Sequence, residues 1–192
     1  MRTVAALYCL PDARCVYRTL EGVEVWDEER DARKFIGGMP VVAHPPCRTW
    51  GGMRQFSKGT SEEHALGFHA VAVVHINGGV LEHPRGSKLF ERLSLPRPGE
   101  GGKYGFTIEV DQYDWGHPCR KRTWLYIVGI DRSQLPPMPE KREGEPAMLV
   151  APSAKQRRAG LGRGRYLPKS QRSVTPLAFA EWLVEVARRT VR

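Results

Sequence analysis

Pro40-Val-Val-Ala-His-Pro-Pro-Cys-Arg-Thr-Trp-Gly51 joins a run of small or branched residues that suit a buried strand to two prolines that end it, with a cysteine directly beyond the stop. A strand that ends here delivers Cys47 to a loop mouth. In open α/β sheets ligands bind in the crevice outside the carboxyl ends of the strands, so a nucleophile-capable thiol at that place is a candidate for chemistry. A buried, inert cysteine in a proline-stiffened turn is the alternative reading of the same stretch.

Working outward toward the start, Val4 to Leu10 reads as a first strand closed by the turn chemistry of Pro11-Asp12. Val23-Glu-Val-Trp26 is a second strand, Asp27 follows it, and Glu28 to Phe35 has helix-compatible composition up to Gly37-Gly38. An acidic residue between strand and helix is the arrangement in which nucleotide-binding units hold ribose hydroxyls, and an acidic helix cap explains Asp27 equally well.

In the other direction, Thr60-Ser-Glu-Glu63 has the form of a capping box, after a glycine-rich loop from Gly51 to Gly59. The helix that begins there carries apolar residues on more than one stripe, from Ala65 to Ile76, so it is expected to be largely buried, and Gly78-Gly79 ends it. Gly79-Val-Leu-Glu-His-Pro84 then repeats the pattern of a strand that runs into a proline. Its Glu82 is a carboxylate in an apolar strand, which is costly to bury unless paired, so it is a candidate functional acid, with a structural ion pair as the alternative. Lys88 to Leu93 suits a short helix. Phe106 to Asp111 and Thr123 to Gly129 read as an antiparallel pair at the sheet edge. From Asp131 to Ser173 prolines and glycines abound and little is regular beyond Ala147 to Ala151. Thr175-Pro176 then gives an N-cap and a first helical position for a closing helix with an apolar face of Leu177, Phe179, Ala180, Trp182, Leu183 and Val186.

The 192 residues suit a chain with a full core, and 41% hydrophobic with 27% charged residues is an ordinary globular composition. No apolar run reaches membrane-spanning length, and the opening Met1 to Tyr8 carries no cleavable signal pattern, from which a cytoplasmic location and no membrane partner are expected. Cys9, Cys15, Cys47 and Cys119 show no disulfide spacing, which fits free thiols. Thirty Lys and Arg against 21 Asp and Glu, a formal charge of +9, point to a polyanionic partner, with nucleic acid first. Much of the excess sits in Arg120-Lys-Arg122 and in Lys155 to Tyr166, which also fits a solvated basic surface segment.

His44-Pro45, His83-Pro84 and His117-Pro118 each stand at an expected strand end or turn. If these loops converge, histidines and thiols could bind zinc, although no close ligand pair supports a metal; binding of substrate and local packing are the alternatives.

Strand-Pro-Pro-Cys, then strand-Glu-x-Pro, then a glycine-proline turn with arginines leading into an apolar strand, resembles the motif order of the cytosine C5 DNA methyltransferases, over roughly Val4 to Gly129. Within that family it resembles short methyltransferase-like proteins of phages. The resemblance implies that Cys47 adds to C6 of a flipped cytosine and that Glu82 hydrogen-bonds the base at N3. Asp114-Trp-Gly-His-Pro-Cys-Arg-Lys-Arg-Thr-Trp-Leu-Tyr-Ile-Val-Gly129 is similar to the family's Tyr-Gly-x-Pro-Gln-x-Arg-x-Arg strand, which implies supporting roles for Arg120 and Arg122. If Cys119 marks the family's glutamine, those two positions fall instead on Lys121 and Thr123, and the arginine assignment takes a one-residue shift. Substrate contacts are implied for Pro45, Pro46, Arg48 and His83, and contacts to S-adenosylmethionine for Tyr8, Leu10 and Asp27. The family's first strand ends in Phe-x-Gly-x-Gly, where this chain has Tyr8-Cys-Leu-Pro-Asp12 without glycine, and the usual Glu-Asn is Glu82-His83.

The chemistry is coherent without the family. Carbon 5 of a pyrimidine is a poor nucleophile until a thiolate adds at C6, and the base must leave the stack to be reached. The expectation is an α/β chain with a truncated Rossmann-like, methyltransferase-type sheet over 1–135, a basic extension over 136–174 and a closing helix over 175–192. Its expected activity is pyrimidine modification in DNA with S-adenosylmethionine as donor. A relative using another cosubstrate, and a DNA-binding protein without catalysis, are the alternatives.

Overall fold

The computed structural model describes residues 1–52, 54–150, 158–160 and 166–191. Six strands make one mixed sheet: β1 (Val4–Leu7), β2 (Val23–Trp26), β3 (Val41–Ala43), β4 (Gly79–Pro84), β5 (Gly105–Asp111) and β6 (Arg122–Val128). Their spatial order is β2-β1-β3-β4-β6-β5. The first four are parallel, and β6 runs antiparallel to both β4 and β5. The expected edge hairpin is therefore present, with β5 outermost and β6 returning between it and β4.

Strand periodicity sorts the core into two layers. Val4, Ala6, Val42, Val80, Leu125 and Ile127 face one side, where the closing helix α3 (Leu177–Arg189) packs through Phe179, Ala180, Leu183 and Val186. Ala5, Leu7, Val41, Ala43, Leu81, Tyr126 and Val128 face the other, against α1 (Ser61–Asn77) and the short α2 (Lys88–Arg92). Helices on both faces explain why β1 and β3 are apolar without alternation.

Helix α1 starts with the expected capping box: Glu63 N donates to Thr60 Oγ1 and Thr60 N donates to Glu63 Oε2, both at 3.2 Å. It is not largely buried, however. Ala70, Val71, Val73 and Val74 pack on the sheet, while Ala65 and Ile76 face solvent, because one face of the helix meets the sheet and nothing described covers the other. Gly79 opens β4 at φ +124, and a Cβ there would stand 1.9 Å from Val41 O, so the entry beside β3 admits only glycine.

Three expected boundaries move. The first strand stops at Leu7, since Tyr8 turns into the left-handed region at φ 61. Glu28 to Phe35 forms no α-helix but a single 3-10 turn over Ala32–Lys34, because Asp27 and Asp31 accept Arg30 N and Arg33 N, each at 3.0 Å, and close local turns instead. Pro176 caps α3 rather than opening it, and its carbonyl accepts from Ala180 N at 3.0 Å. Of the basic stretch 155–166, only 158–160 and Tyr166 are described; Tyr166 pairs with Leu149 in an isolated parallel bridge. Among the described residues no helix is long and apolar enough to cross a membrane.

The chain leaves β1 for β2 on one side, then crosses back to place β3 on the other. The carboxyl ends of β1 and β3 thus diverge at a switch point, which is where an open sheet of this kind forms a crevice.

Candidate active site

A cavity of about 460 Å³ occupies that crevice, a size suited to a small molecule or a single base. Tyr8, Cys9 and Leu10 enter it from the end of β1, His44 to Arg48 from the end of β3, Glu82 to Pro84 from the end of β4, and Lys121 from the approach to β6. Arg172, Ser173 and Thr175, on the segment before α3, complete its lining.

Cys47 is solvent-exposed at the mouth. Its loop is fixed from both sides. Trp50 N and Gly51 N donate to Cys47 O at 3.0 and 2.8 Å, which closes a tight turn, and the buried Trp50 ring stacks on His64 with centroids 3.7 Å apart. Arg48 bridges to Glu63 at 3.1 Å, tying the loop to the first turn of α1. Desolvation and then the negative charge of Glu82 raise the Cys47 thiol above its ordinary value, and Lys121 and Arg48 offset this only in part.

Glu82, with its side chain 13% exposed, is paired on both oxygens. His44 Nδ1 lies 3.1 Å from Oε2, and Gln112 Nε2 donates to Oε1 at 3.1 Å. The chain of contacts continues at each end. His44 Nε2 meets Tyr17 Oη at 2.7 Å, and Gln112 Nε2 also donates to Thr123 Oγ1 at 3.0 Å, whose hydroxyl donates to Lys121 O at 3.0 Å. Burial by itself would raise the Glu82 carboxyl, but the His44 hydrogen bond and the charges of His44, Lys121 and His83 outweigh it and hold the group at about 2. Glu82 therefore stands as a carboxylate.

Of the residues singled out by sequence, Cys47, Glu82, Pro45, Pro46, Arg48 and His83 share this cavity. His83 is almost wholly buried and its Nδ1 meets Ser87 Oγ at 2.6 Å, the hydroxyl that caps α2; burial lowers its imidazole to about 4 and keeps it neutral. Arg120 and Arg122 do not line the cavity. Arg120 pairs with Asp111 at 3.6 Å and lies over the Tyr113 ring, while Arg122 is exposed on β6. Alternation of side chains accounts for this: the register that sends 121 and 123 inward sends 120 and 122 out. Of the unshifted positions, Lys121 lines the cavity and Thr123 connects to it through Gln112.

The residues expected to hold S-adenosylmethionine do not form a set. Tyr8 and Leu10 line the cavity, but Tyr8 Oη is committed to His69 Nδ1 at 2.5 Å. Asp27 at the end of β2 is buried, and its carboxylate already accepts from the Arg18 guanidinium and from Arg30 N, the latter at 3.0 Å. With the ribose-binding acid taken and a tyrosine where the backbone would need glycine, the residues present do not fit that cofactor. Nor do the three histidine-proline turns converge: His44 and His83 reach the cavity, while His117 Nδ1 is buried against the backbone of Cys119. Among the described residues no group of three or more His, Cys, Asp or Glu is placed to hold a metal.

Sequence reasoning missed Tyr17, Gln112 and Arg172. It also missed the pairing of Cys9 with Cys15 in the same wall. Cys15 is lowered to about 6, first by the neighbouring Cys9 side chain and against its own burial, with the backbone N–H groups of Tyr17 and Arg18 assisting. No family model, curated protein or solved structure matches the chain.

Proposed function

We propose that this protein acts on a pyrimidine base of DNA, most readily cytosine, through covalent attack by Cys47 on C6. The observation that carries the reading is the meeting of Cys47, Glu82 and Lys121 on the wall of one cavity at the sheet's switch point. Four parallel strands followed by an antiparallel hairpin support a Rossmann-like sheet of the methyltransferase type, shortened in its β1 to β3 connections. Arg14, Arg48, Lys121 and Arg172 around the cavity support a polyanionic partner.

The Sγ–C6 bond forms as the C5–C6 double bond opens, and electron density moves toward C5 and N3. Lys121 and Arg48 favour the thiolate as the thiol proton is lost, and the Glu82 side of the cavity takes the base edge where a proton must arrive at N3. C5 is then nucleophilic. It gains a proton from solvent, loses the original one, and the thiolate leaves, so exchange of the C5 hydrogen with water needs no group donor. Methyl transfer is the outcome the family resemblance implies; the engagement of Asp27 by Arg18 favours a relative that kept the pyrimidine site and changed the cosubstrate.

The test is the loss of C5 hydrogen label from cytosine in single- and double-stranded oligonucleotides on incubation with the protein in water. Exchange by the wild type, abolished in Cys47→Ala while that variant melts normally and binds the same DNA, is expected. Salt-sensitive binding with no exchange, unaltered by Cys47→Ala, would establish the non-catalytic alternative instead.

A further inference from the structure

The strand end that presents Cys47 also presents His44, and no step described so far uses it. His44 lies between two groups from distant parts of the chain, Tyr17 Oη at 2.7 Å from Nε2 and Glu82 Oε2 at 3.1 Å from Nδ1. Tyr17 is buried on the 3-10 turn after β1, and its ring is tilted against the imidazole with centroids 5.3 Å apart. All three line the cavity. We propose that Tyr17 and His44 form a relay that supplies, through Glu82, the proton that N3 of the attacked base takes up as Cys47 adds to C6. The proposal rests on the reading of Cys47 as the nucleophile.

The chemistry requires such a device. Attack by Cys47 needs the thiol proton removed, and the base needs a proton at N3, so the net change is transfer of one proton from Sγ to N3 while the Sγ–C6 bond forms. Glu82 cannot donate as it stands, because it is a carboxylate whose oxygens already accept from His44 and Gln112. The exposed Cys47 gives its proton to solvent, while an imidazole that faces Glu82 takes one up from solvent and passes its Nδ1 proton to Oε2, from which N3 receives it, so that one proton leaves Sγ and one arrives at N3. In the resting arrangement Tyr17 donates to Nε2 and Nδ1–H donates to Glu82. Once His44 carries the extra proton, Nε2–H must find an acceptor. A phenol hydroxyl serves both states by rotating, since it can donate and accept, whereas a ring without the hydroxyl would leave Nε2 buried and unpaired in either state. Burial raises Tyr17 well above its ordinary value, so it keeps its own proton throughout. When the base leaves, the proton returns from N3 through Glu82 to His44 and on to solvent, and Sγ regains one from solvent.

The charged and titratable groups around this relay are Glu82 and His83 from β4, Lys121 from the approach to β6, Cys47 on the same loop as His44, and Cys9 and Cys15 beside Tyr17. None of them occupies the position between Nδ1 and Oε2. His44 and Tyr17 are therefore positioning residues that act through Glu82.

The experiment compares C5 hydrogen exchange against pH for the full-length wild type, Tyr17→Phe and His44→Gln, and follows the His44 ring nitrogens by NMR in wild type, Tyr17→Phe and Glu82→Gln. Tyr17→Phe is expected to bind DNA as the wild type does, to lose at least tenfold in exchange near neutral pH, and to displace the pH–rate profile; His44→Gln is expected to remove the profile's dependence on that group. In the ring spectra, Nδ1 carries the proton in the wild type and the ring-nitrogen resonances of His44 shift in both Tyr17→Phe and Glu82→Gln. A wild-type profile in Tyr17→Phe, or resonances unmoved by either substitution, overturns the relay. If the wild type shows no exchange while the resonances shift as expected, the attack by Cys47 fails and the hydrogen-bonded relay stands.

Discussion

Glu82 and its neighbour His83 sit one residue apart on β4 and lie in different surroundings, since alternation puts one toward the Tyr17 side and the other against Ser87. Both have depressed pKa values in the fold, and the signs agree. Below about 6.5 the unfolded chain protonates His83 while the fold keeps it neutral down to about 4, so stability falls as pH drops through that window. Below about 4.5 the unfolded chain protonates Glu82 while the fold keeps it ionised down to about 2, so stability falls further there. The stability lost in acid is on the order of 3 kcal/mol for each group, complete only below its value in the fold. Urea unfolding followed from pH 7 to 3 should therefore show a continuous loss, with the upper part of the slope flattened in His83→Gln and the lower part in Glu82→Gln; an unchanged slope in either variant refutes the assignment for that residue. Cys47 and Glu82 were legible in the sequence because each breaks a local rule, a thiol just past a proline stop and a carboxylate in an apolar strand. Tyr17 was not, because its meaning depends on a histidine 27 residues away that only the crossing of β2 brings near.

At the scale of elements, the legible parts were those with a strong local signal: the capping box of α1, the proline-ended strands, and the paired strands β5 and β6. The stretch from Glu28 to Phe35 misled because its composition suits a helix while two aspartates bind their own backbone into turns. The attachment of the Cys47 loop to α1 also lay beyond local reading, and it makes a sharp prediction. Gly67 faces Trp50 from inside the helix, and a Cβ there would meet Trp50 Nε1 at 2.7 Å, Trp50 Cε2 at 3.0 Å and Leu89 Cδ1 at 3.1 Å. Alanine in a helix interior is ordinarily favoured over glycine by about 1 kcal/mol, but overpacking a rigid buried ring costs about 1–3 kcal/mol, so the clash outweighs the propensity. Gly67→Ala is expected to lower the melting temperature and to lower C5 exchange by more than the stability loss explains, because Trp50 N also holds the turn at Cys47. Gly52→Ala, with nothing within 4 Å of its Cβ, should leave both unchanged.

For the molecule as a whole, the path of the chain decides what the cavity contains. Crossing from β2 back to β3 opens the crevice, α1 and α3 cover the two faces of the sheet, and the segment before α3 adds Arg172, Ser173 and Thr175 to the cavity lining. That return brings residues from both ends of the sequence to one site. It also places a second candidate nucleophile there, since Cys15, lowered to about 6, lines the same wall as Cys47. The most direct measurement is therefore a covalent adduct whose position is read. An oligonucleotide carrying pyrimidin-2-one in place of cytosine has a more electrophilic C6 and holds a thiol addition without any group transfer. Incubated with the full-length protein and digested for mass spectrometry, it should yield a single crosslinked peptide with the base on Cys47, lost in Cys47→Ala and retained in Cys15→Ala. A crosslink on Cys15, or none at all under conditions where the oligonucleotide is bound, would contradict the assignment of Cys47 as the attacking thiol.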